Sequence, residues 1–314
     1  MTTSTLSIVF PGQGSQSMGM LADIATQFGE VKQTFTEASD VLGYDLWQLA
    51  QQGPAEELDK TVHTQPALLA ASYAIWRILT TRKSLQPAML AGHSLGEYTA
   101  LVCANALSFQ DAIKLVAARG QYMQEAVAAG TGAMAAIIGL DETKVATLCE
   151  QAINSSEEVL SPANFNSIGQ IVVAGHKAAV ERAISMAKEQ GAKLAVMIPV
   201  SVPSHCQLMQ PAALRLEELL ATMTLKTPEI PVINNVDVKF YQSIDSIRDG
   251  LIRQLYKPVR WVEIIQYFIQ AGVTHIIECG PGKVLTGLNK RIDKNLQLMT
   301  TSDFAGLENV LKSE

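Results

Sequence analysis

The sequence predicts an α/β protein that carries a smaller inserted domain. Apolar runs with strand character alternate with helical patterns along the 314 residues, which is typical of the α/β class. In the middle of the chain this alternation changes, because two strand patterns follow each other directly. Apolar residues make up 48% of the chain and charged residues 17%, a composition that supports a large core.

The outer parts of the chain supply the elements of the larger domain. Their strand patterns are Leu6–Phe10 and residues 88–91, 230–234 and 274–279. Their helical patterns are residues 17–80, a segment from residue 95, residues 110–128, 208–222, 245–255, Trp261–Gln270 and a segment after the Gly-Pro-Gly of residues 280–282. Ser108 is a suitable N-cap for the helix of residues 110–128, because its hydroxyl can accept a hydrogen bond from a free backbone N–H.

The middle of the chain has the pattern of a βαββαβ unit. Its strand, helix, hairpin, helix and strand cover residues 133–138, 143–153, 159–166 with 170–174, 178–189 and 193–200. This order is typical of the ferredoxin-like fold. We therefore expect an inserted domain over residues 130–200 and a core formed by residues 1–129 and 201–314.

Charge and composition argue against several classes of function. The net charge is −6 and no basic run occurs, so nucleic acid is not the expected partner. No apolar run approaches the roughly 20 residues of a membrane span, and the N-terminus lacks a signal-peptide pattern, so we expect a cytoplasmic protein. The four cysteines have no metal-binding spacing, which predicts reduced thiols and no metal site.

A nucleophile is predicted at Ser94. The segment Gly92-His-Ser-Leu-Gly96 matches G-x-S-x-G between an apolar strand and a helical run, where a sharp turn exposes the serine hydroxyl. The N–H of Leu95 would then donate to a developing oxyanion at the start of the helix. The alternative is an ordinary Gly/Ser turn that caps a helix.

A serine nucleophile needs a base, and elimination among the five histidines favours His205. It lies in the loop Val-Ser-Val-Pro-Ser-His, after a strand and before a helix, where functional side chains concentrate. His93 adjoins the serine and should diverge from it, His63 lies in a polar turn, His176 opens a helix and His275 lies inside a strand. The alternative is that the loop histidine only caps the next helix.

No carboxylate stands out at a strand end between the serine and the histidine. An ordinary hydrolase has the order serine, acid, then a histidine near the C-terminus, so this chain fits that order poorly.

Arg119 projects from a largely apolar stripe of its helix, formed by Leu115, Tyr122, Met123 and Ala126. A buried arginine requires a partner, and a carboxylate on a substrate would supply one through two parallel hydrogen bonds. The alternative is a surface arginine.

The glycine-rich segment PGQGSQSMGM follows the first strand but fails both phosphate-binding patterns. Met20 stands where a Walker loop has lysine, and Ser17 stands where the dinucleotide fingerprint has glycine. The later segment CGPGKVLTG also fails, because its first Walker position is Ile277. The loop therefore provides accessible backbone at the end of a strand. Functional sites of α/β sheets lie at such strand ends.

Eight motifs occur in order along nearly the whole chain. They are GQGSQ, TQPALLAAS, AGHSLGEYTAL, the helix of Arg119, PVSVPSHC, NNVDV, RQLYKPVRW and ECGPGKVLTGL. Together they resemble the bacterial malonyl-CoA:acyl carrier protein transacylases, an acyltransferase family of fatty acid and polyketide synthesis.

The resemblance implies an α/β-hydrolase-like core with a parallel sheet and an inserted ferredoxin-like domain. It also implies a Ser–His dyad in place of a triad. The residues that match the family's motifs are Ser94 as nucleophile, His205 as base, the backbone carbonyl of Gln254 as the group that orients the histidine, the N–H groups of Gln13 and Leu95 as the oxyanion hole, Arg119 as the carboxylate partner, and His93 and Asn164 as residues that line the site.

By resemblance, the reaction is ping-pong transfer of malonyl from malonyl-CoA to the phosphopantetheine thiol of acyl carrier protein. No cofactor or metal is expected, nor is a nucleic-acid or membrane partner, and a monomer is expected. Cations that could dock an acidic carrier are Lys257, Arg260, Lys283, Lys290 and Arg291. Three rival functions are a serine esterase or thioesterase, a nucleotide-binding module built on the first loop, and an acyltransferase that serves a polyketide synthase.

Overall fold

The computed structural model describes residues 5–200 and 202–313. The strands are β1 Leu6–Phe10, β2 Met89–Gly92, β3 Gly132–Ile138, β4 Leu160–Ser167, β5 Gln170–His176, β6 Leu194–Ile198, β7 Val232–Ile233, β8 His275–Glu278 and β9 Gln297–Thr300. The helices are α1 Ala22–Gln27, α2 Gly29–Leu42, α3 Leu46–Gln52, α4 Ala55–Leu58, α5 Thr61–Arg82, α6 Gly96–Cys103, α7 Phe109–Glu125, α8 Glu142–Gln151, α9 Lys177–Glu189, α10 Gln210–Thr222, α11 Ile244–Gln254, α12 Trp261–Gln270, α13 Val284–Ile292 and α14 Phe304–Lys312.

The larger sheet is parallel and has the strand order β7-β2-β1-β8-β9. Its central strand, β1, is an almost continuous apolar run because helices cover both faces of the sheet. All five strands run the same way, so the loops after β1, β2, β7 and β8 leave the sheet at one edge. That edge is where the functional site of a parallel α/β sheet is expected.

The smaller sheet is antiparallel, with the order β4-β5-β3-β6. Helices α8 and α9 pack on one face, and their apolar residues form a core of their own with the sheet. Element order and strand order are those of the ferredoxin-like unit, so the predicted fold class is confirmed. The predicted domain limits stay a prediction, and residues 1–4, 201 and 314 of those limits lie outside the described residues.

The two sheets are joined at a break in the pairing of β4. The N–H of Phe165 donates to the carbonyl of Val259 at 2.9 Å, and the N–H of Val259 donates to the carbonyl of Ala163 at 2.9 Å. This irregularity, between Pro162 and Asn164 in the register of β4, turns the strand toward the larger sheet. It brings one end of the inserted unit over the carboxyl edge of that sheet.

Helix α5 passes through the middle of the larger core. Fifteen of its residues are buried, because α2, α6 and α7 all pack against it. No helix among residues 5–200 and 202–313 is long and apolar enough to cross a membrane.

Most predicted elements are present, and the structure differs from the predictions at four places. The helical pattern of residues 17–80 is divided into α1 to α5 by turns at positions such as Gly43 and Gly53, both of positive φ. His63 lies in α5 and not in a polar turn, so that interpretation was wrong: the helix starts earlier than its polar first turn suggested. Strand β7 keeps only two residues. Strand β9 was not predicted, because it is half-exposed and lacks a clear apolar alternation. Helix α14 was not predicted either.

Candidate active site

The turn between β2 and α6 holds Ser94 in a strained conformation. Its φ is 51°, in the left-handed region that non-glycine residues rarely adopt. The turn is tight enough that a Cβ on Gly92 would lie 1.8 Å from the backbone carbon of Gly96, so only glycine fits there. The result is the sharp strand-to-helix turn predicted from the pattern, with the hydroxyl facing a cleft.

Asn235, two residues after β7, holds this turn in place and was not predicted as a site residue. Its side-chain oxygen accepts from the N–H of Ser94 at 2.8 Å, and its amide group donates to the carbonyl of Gly92 at 2.7 Å. The side chain is fully buried. Both backbone groups would otherwise be unpaired in the interior, so Asn235 offsets part of the cost of the strained turn.

His205 contacts the serine directly. Its Nε2 lies 2.8 Å from the Ser94 Oγ, and its Nδ1 lies 2.7 Å from the backbone oxygen of Gln254. The His205 backbone also has a positive φ of 65°, and its N–H donates to the carbonyl of Leu255. The ring makes no helix cap, so that alternative is wrong.

The environment of His205 favours the neutral imidazole. Burial, followed by the nearby charge of Arg119, lowers the pKa of His205 to about 3. A carbonyl oxygen can only accept, so the Nδ1 carries the proton. The Nε2 is therefore free to accept the proton of the Ser94 hydroxyl.

Arg119 lies at the base of the cleft, with 1% of its surface exposed. Its two terminal nitrogens donate to the side-chain oxygens of Gln65 at 2.8 Å and Gln254 at 2.9 Å. One of them also lies 3.3 Å from the Ser94 Oγ. Arg119 is therefore not a surface arginine, and that alternative is wrong. Its partner Gln65 was not predicted from the sequence. Both partners are neutral, and among the described residues no carboxylate is a hydrogen-bond partner of this buried cation.

Two backbone N–H groups face the same cleft. Those of Gln13 and Leu95 donate to no protein acceptor within residues 5–200 and 202–313. The glycine-rich loop can come this close to the turn because Gly12 lacks a side chain: a Cβ there would lie 2.4 Å from the carbonyl oxygen of His93. The loop that follows β1 therefore adds a second N–H to the one at the start of α6.

The cleft has a volume of 420 Å³ and lies between the two sheets. Asn164 and His93 both line it, and the His93 Nε2 pairs with the side-chain oxygen of Asn166 at 2.8 Å, so the ring diverges from Ser94 as expected. Apolar side chains that include Met123 and Val202 form much of the remaining wall. A small acyl group with one charged end fits such a lining.

A buried carboxylate, Glu97, also lies beneath the site. Three groups donate to it: the Tyr241 hydroxyl, the N–H of Asn235 at 3.1 Å and the side-chain nitrogen of Gln254 at 2.7 Å. Burial raises the pKa of Glu97 to about 7, although these donors and Arg119 act in the opposite direction. Glu97 was not predicted as a site residue, because it lies within a helix and not in a strand-end loop. Its position three residues after the serine was the available signal.

All residues predicted for the site by number therefore line or underlie one cleft. The four cysteines, Cys103, Cys149, Cys206 and Cys279, are buried and free. Within the described ranges no three His, Cys, Asp or Glu side chains form a group that could hold a metal ion. The absence of a metal or cofactor stays a prediction.

Comparison with known families decides the class of the protein. A family model described as an acyl transferase domain matches residues 8–306. The chain belongs to the acyl transferase family. This acyl transferase is 60% identical over 284 residues to the malonyl CoA-acyl carrier protein transacylase of Escherichia coli K12, a match that covers 90% of this chain and 91% of that one.

Solved structures agree with this assignment. The acyl transferase matches an acyl carrier protein S-malonyltransferase from Vibrio cholerae with a TM-score of 0.95 and 59% identity, covering 98% of this chain and 100% of that chain. It also matches the malonyl-transacylase PlMCAT with a TM-score of 0.97 and 55% identity, covering 99% of this chain and 100% of that chain. PlMCAT was solved in complex with AntF, a type II PKS acyl-carrier protein.

Proposed function

We propose that this acyl transferase moves a malonyl group from malonyl-CoA to the phosphopantetheine thiol of an acyl carrier protein, by way of a malonyl ester on Ser94. One observation supports this most strongly. The Ser94 Oγ lies 2.8 Å from a neutral histidine nitrogen and 3.3 Å from a buried guanidinium. The first group activates the serine, and the second selects an acyl group with a free carboxylate.

The first half-reaction makes the malonyl ester. The His205 Nε2 takes the Ser94 proton as the Oγ attacks the thioester carbonyl, and the oxyanion that forms accepts from the N–H groups of Gln13 and Leu95. When this intermediate collapses, the carbon–sulfur bond breaks. The CoA thiolate leaves with the proton held by His205, and the Ser94 ester remains.

The second half-reaction is the reverse with a new thiol. The phosphopantetheine thiol gives its proton to His205 and attacks the Ser94 ester, and collapse returns the proton to the Ser94 Oγ. The backbone oxygen of Gln254 stabilises the imidazolium in both halves, as an acid does in a triad. This accounts for a serine–histidine pair that works without an aspartate at Nδ1.

Arg119 provides the selectivity in this proposal. Its partners Gln65 and Gln254 are neutral, so its charge remains available to a carboxylate. A charge-assisted hydrogen bond contributes about 1.5–3 kcal/mol, which is about tenfold to over a hundredfold in favour of malonyl over acetyl.

The relatives support an acyl carrier protein as the acceptor. The Escherichia coli relative is named for this activity, and PlMCAT was solved with such a carrier. Two of the cations suggested for docking are already paired, Arg260 with Glu263 and Lys283 with Asp303, which reduces the positive charge that they present. We also propose that the protein acts as a monomer without a metal or cofactor.

An acceptor panel tests transfer and partner together. The protein is mixed with radiolabelled malonyl-CoA and with a holo acyl carrier protein of fatty acid or of polyketide synthesis, with apo acyl carrier protein, or with water alone. Among these acceptors we expect label on holo carrier only, and little free malonate. Rapid release of malonate without a thiol acceptor would identify a thioesterase, and label on a polyketide carrier but not a fatty acid carrier would identify the polyketide enzyme.

A further inference from the structure

Gln254 connects the groups of the active site through both its backbone and its side chain. Its backbone oxygen holds His205, whereas its side-chain oxygen accepts from Arg119 at 2.9 Å. Its side-chain nitrogen donates to the Ser94 carbonyl at 2.9 Å and to Glu97 at 2.7 Å. The residue is fully buried, so no solvent replaces any of these contacts.

The carboxamide of Gln254 can serve Arg119 only in one orientation. A guanidinium donates and never accepts, so the carboxamide must present its oxygen to Arg119 and its nitrogen to the opposite side. On that side lie the Ser94 carbonyl and the Glu97 side chain, and the more distant side-chain oxygen of Asn235 at 3.4 Å. The carboxamide nitrogen has two N–H groups, and the two nearest acceptors, the Ser94 carbonyl and the Glu97 Oε2, can each accept one of them.

We propose that Glu97 is a positioning residue for substrate selection: it holds the Gln254 carboxamide in the orientation that fixes the Arg119 guanidinium beside the Ser94 oxygen. This inference rests on the proposed function and extends it to a residue that touches neither the substrate nor the reacting atoms. Glu97 lies on the first turn of α6, and its other oxygen accepts from Tyr241.

Removing the acceptor at position 97 leaves one N–H of the Gln254 carboxamide with only the Asn235 side-chain oxygen, 3.4 Å away. A buried donor without a good acceptor costs about 1–3 kcal/mol, so the carboxamide shifts toward that oxygen and is no longer held in its place beside Arg119. Arg119 then keeps only Gln65 as a firm hydrogen-bond acceptor besides the Ser94 hydroxyl. The backbone bond to His205 is unaffected, so malonyl selection is lost while the acyl-transfer chemistry remains.

The proposal depends on an acceptor at the Glu97 Oε2 and not on the charge. In Glu97→Gln the side-chain oxygen can accept from Asn235 and Gln254, while its amide group donates to the Tyr241 hydroxyl. Protonation of Glu97 at the Oε1 has the same consequence. Selection is therefore expected to survive loss of the charge but not loss of the acceptor.

The experiment measures kcat/KM for malonyl-CoA and for acetyl-CoA with holo acyl carrier protein as acceptor. In Glu97→Met we expect the malonyl-to-acetyl ratio of kcat/KM to fall at least about tenfold, because kcat/KM for malonyl-CoA falls. Glu97→Asp, which keeps the charge but withdraws the acceptor, should give the same fall and serves if the methionine variant does not fold. Glu97→Gln and the matched control Tyr241→Phe should keep the ratio within about threefold.

A double-mutant cycle separates positioning from general damage. In an Arg119→Ala background, Glu97→Met should leave the malonyl-to-acetyl ratio unchanged, because the route from Glu97 to the substrate passes through Arg119. Equal falls for both substrates, a fall in Glu97→Gln as large as in Glu97→Met, or a further fall in the Arg119→Ala background would each overturn the inference. A wild-type protein without malonyl preference would instead refute the proposed function.

Discussion

The Nδ1 of His205 lies 2.7 Å from the backbone oxygen of Gln254, and no carboxylate occupies this position. The carbonyl fixes the tautomer of the ring without adding a full negative charge next to it. The imidazole therefore keeps the low basicity that its burial imposes, and it is ready to accept the Ser94 proton over a wide range of pH.

The first prediction concerns the pH dependence of acylation. Burial and the Arg119 charge lower the pKa of His205 to about 3 from its ordinary value, so the base loses its neutral form only in acid. We expect kcat/KM for the malonyl-CoA half-reaction to stay flat between about pH 5 and 8, where an ordinary histidine titrates. Stopped-flow release of CoA measures it, and a fall with a midpoint near about 6.5 would contradict the assigned environment.

The second prediction concerns Arg119→Ala. Loss of the guanidinium should lower kcat/KM for malonyl-CoA by about tenfold to over a hundredfold and leave acetyl-CoA much less affected. Arg82→Ala is the matched control, because Arg82 pairs with Glu30 on the outer surface, away from the cleft. The two thioesters are compared in the same assay. Equal losses for both would argue against a role in binding the carboxylate.

The third prediction concerns the glycines. A Cβ at Gly92 would lie 1.8 Å from the Gly96 backbone, whereas a Cβ at Gly287 in α13 meets no atom within 4 Å. Gly92→Ala should destabilise the fold by about 3 kcal/mol or more, and Gly287→Ala should stabilise it by about 0.5–1 kcal/mol. Urea unfolding of both variants checks this. Similar stabilities for the two would show that the turn is not as tight as described.

The sequence was sufficient for the parts of the site that depend on local pattern. Ser94 and Leu95 follow from five adjacent residues, and the fold class follows from the order of strands and helices. His205 required elimination, because it is 111 positions from Ser94 and only the tertiary fold brings the two together.

Residues that act through long-range packing could not be found in this way. Asn235 holds the Ser94 backbone from 141 positions away, and although it lies in the motif NNVDV, no local pattern indicates which distant group its side chain contacts. Glu97 lies within a helix, where a carboxylate is ordinarily exposed, and becomes buried only because Tyr241 and Asn235 lie against α6. Burial of a polar side chain is a property of the whole fold.

The acyl-serine mechanism is tested most directly by denaturing mass spectrometry of the intact protein after mixing with malonyl-CoA, followed by peptide mapping. We expect one malonyl group per chain, on Ser94, which disappears when holo acyl carrier protein is added and never forms in Ser94→Ala. A wild-type protein that transfers malonyl without a Ser94 adduct, or a Ser94→Ala variant that still becomes loaded, would contradict it.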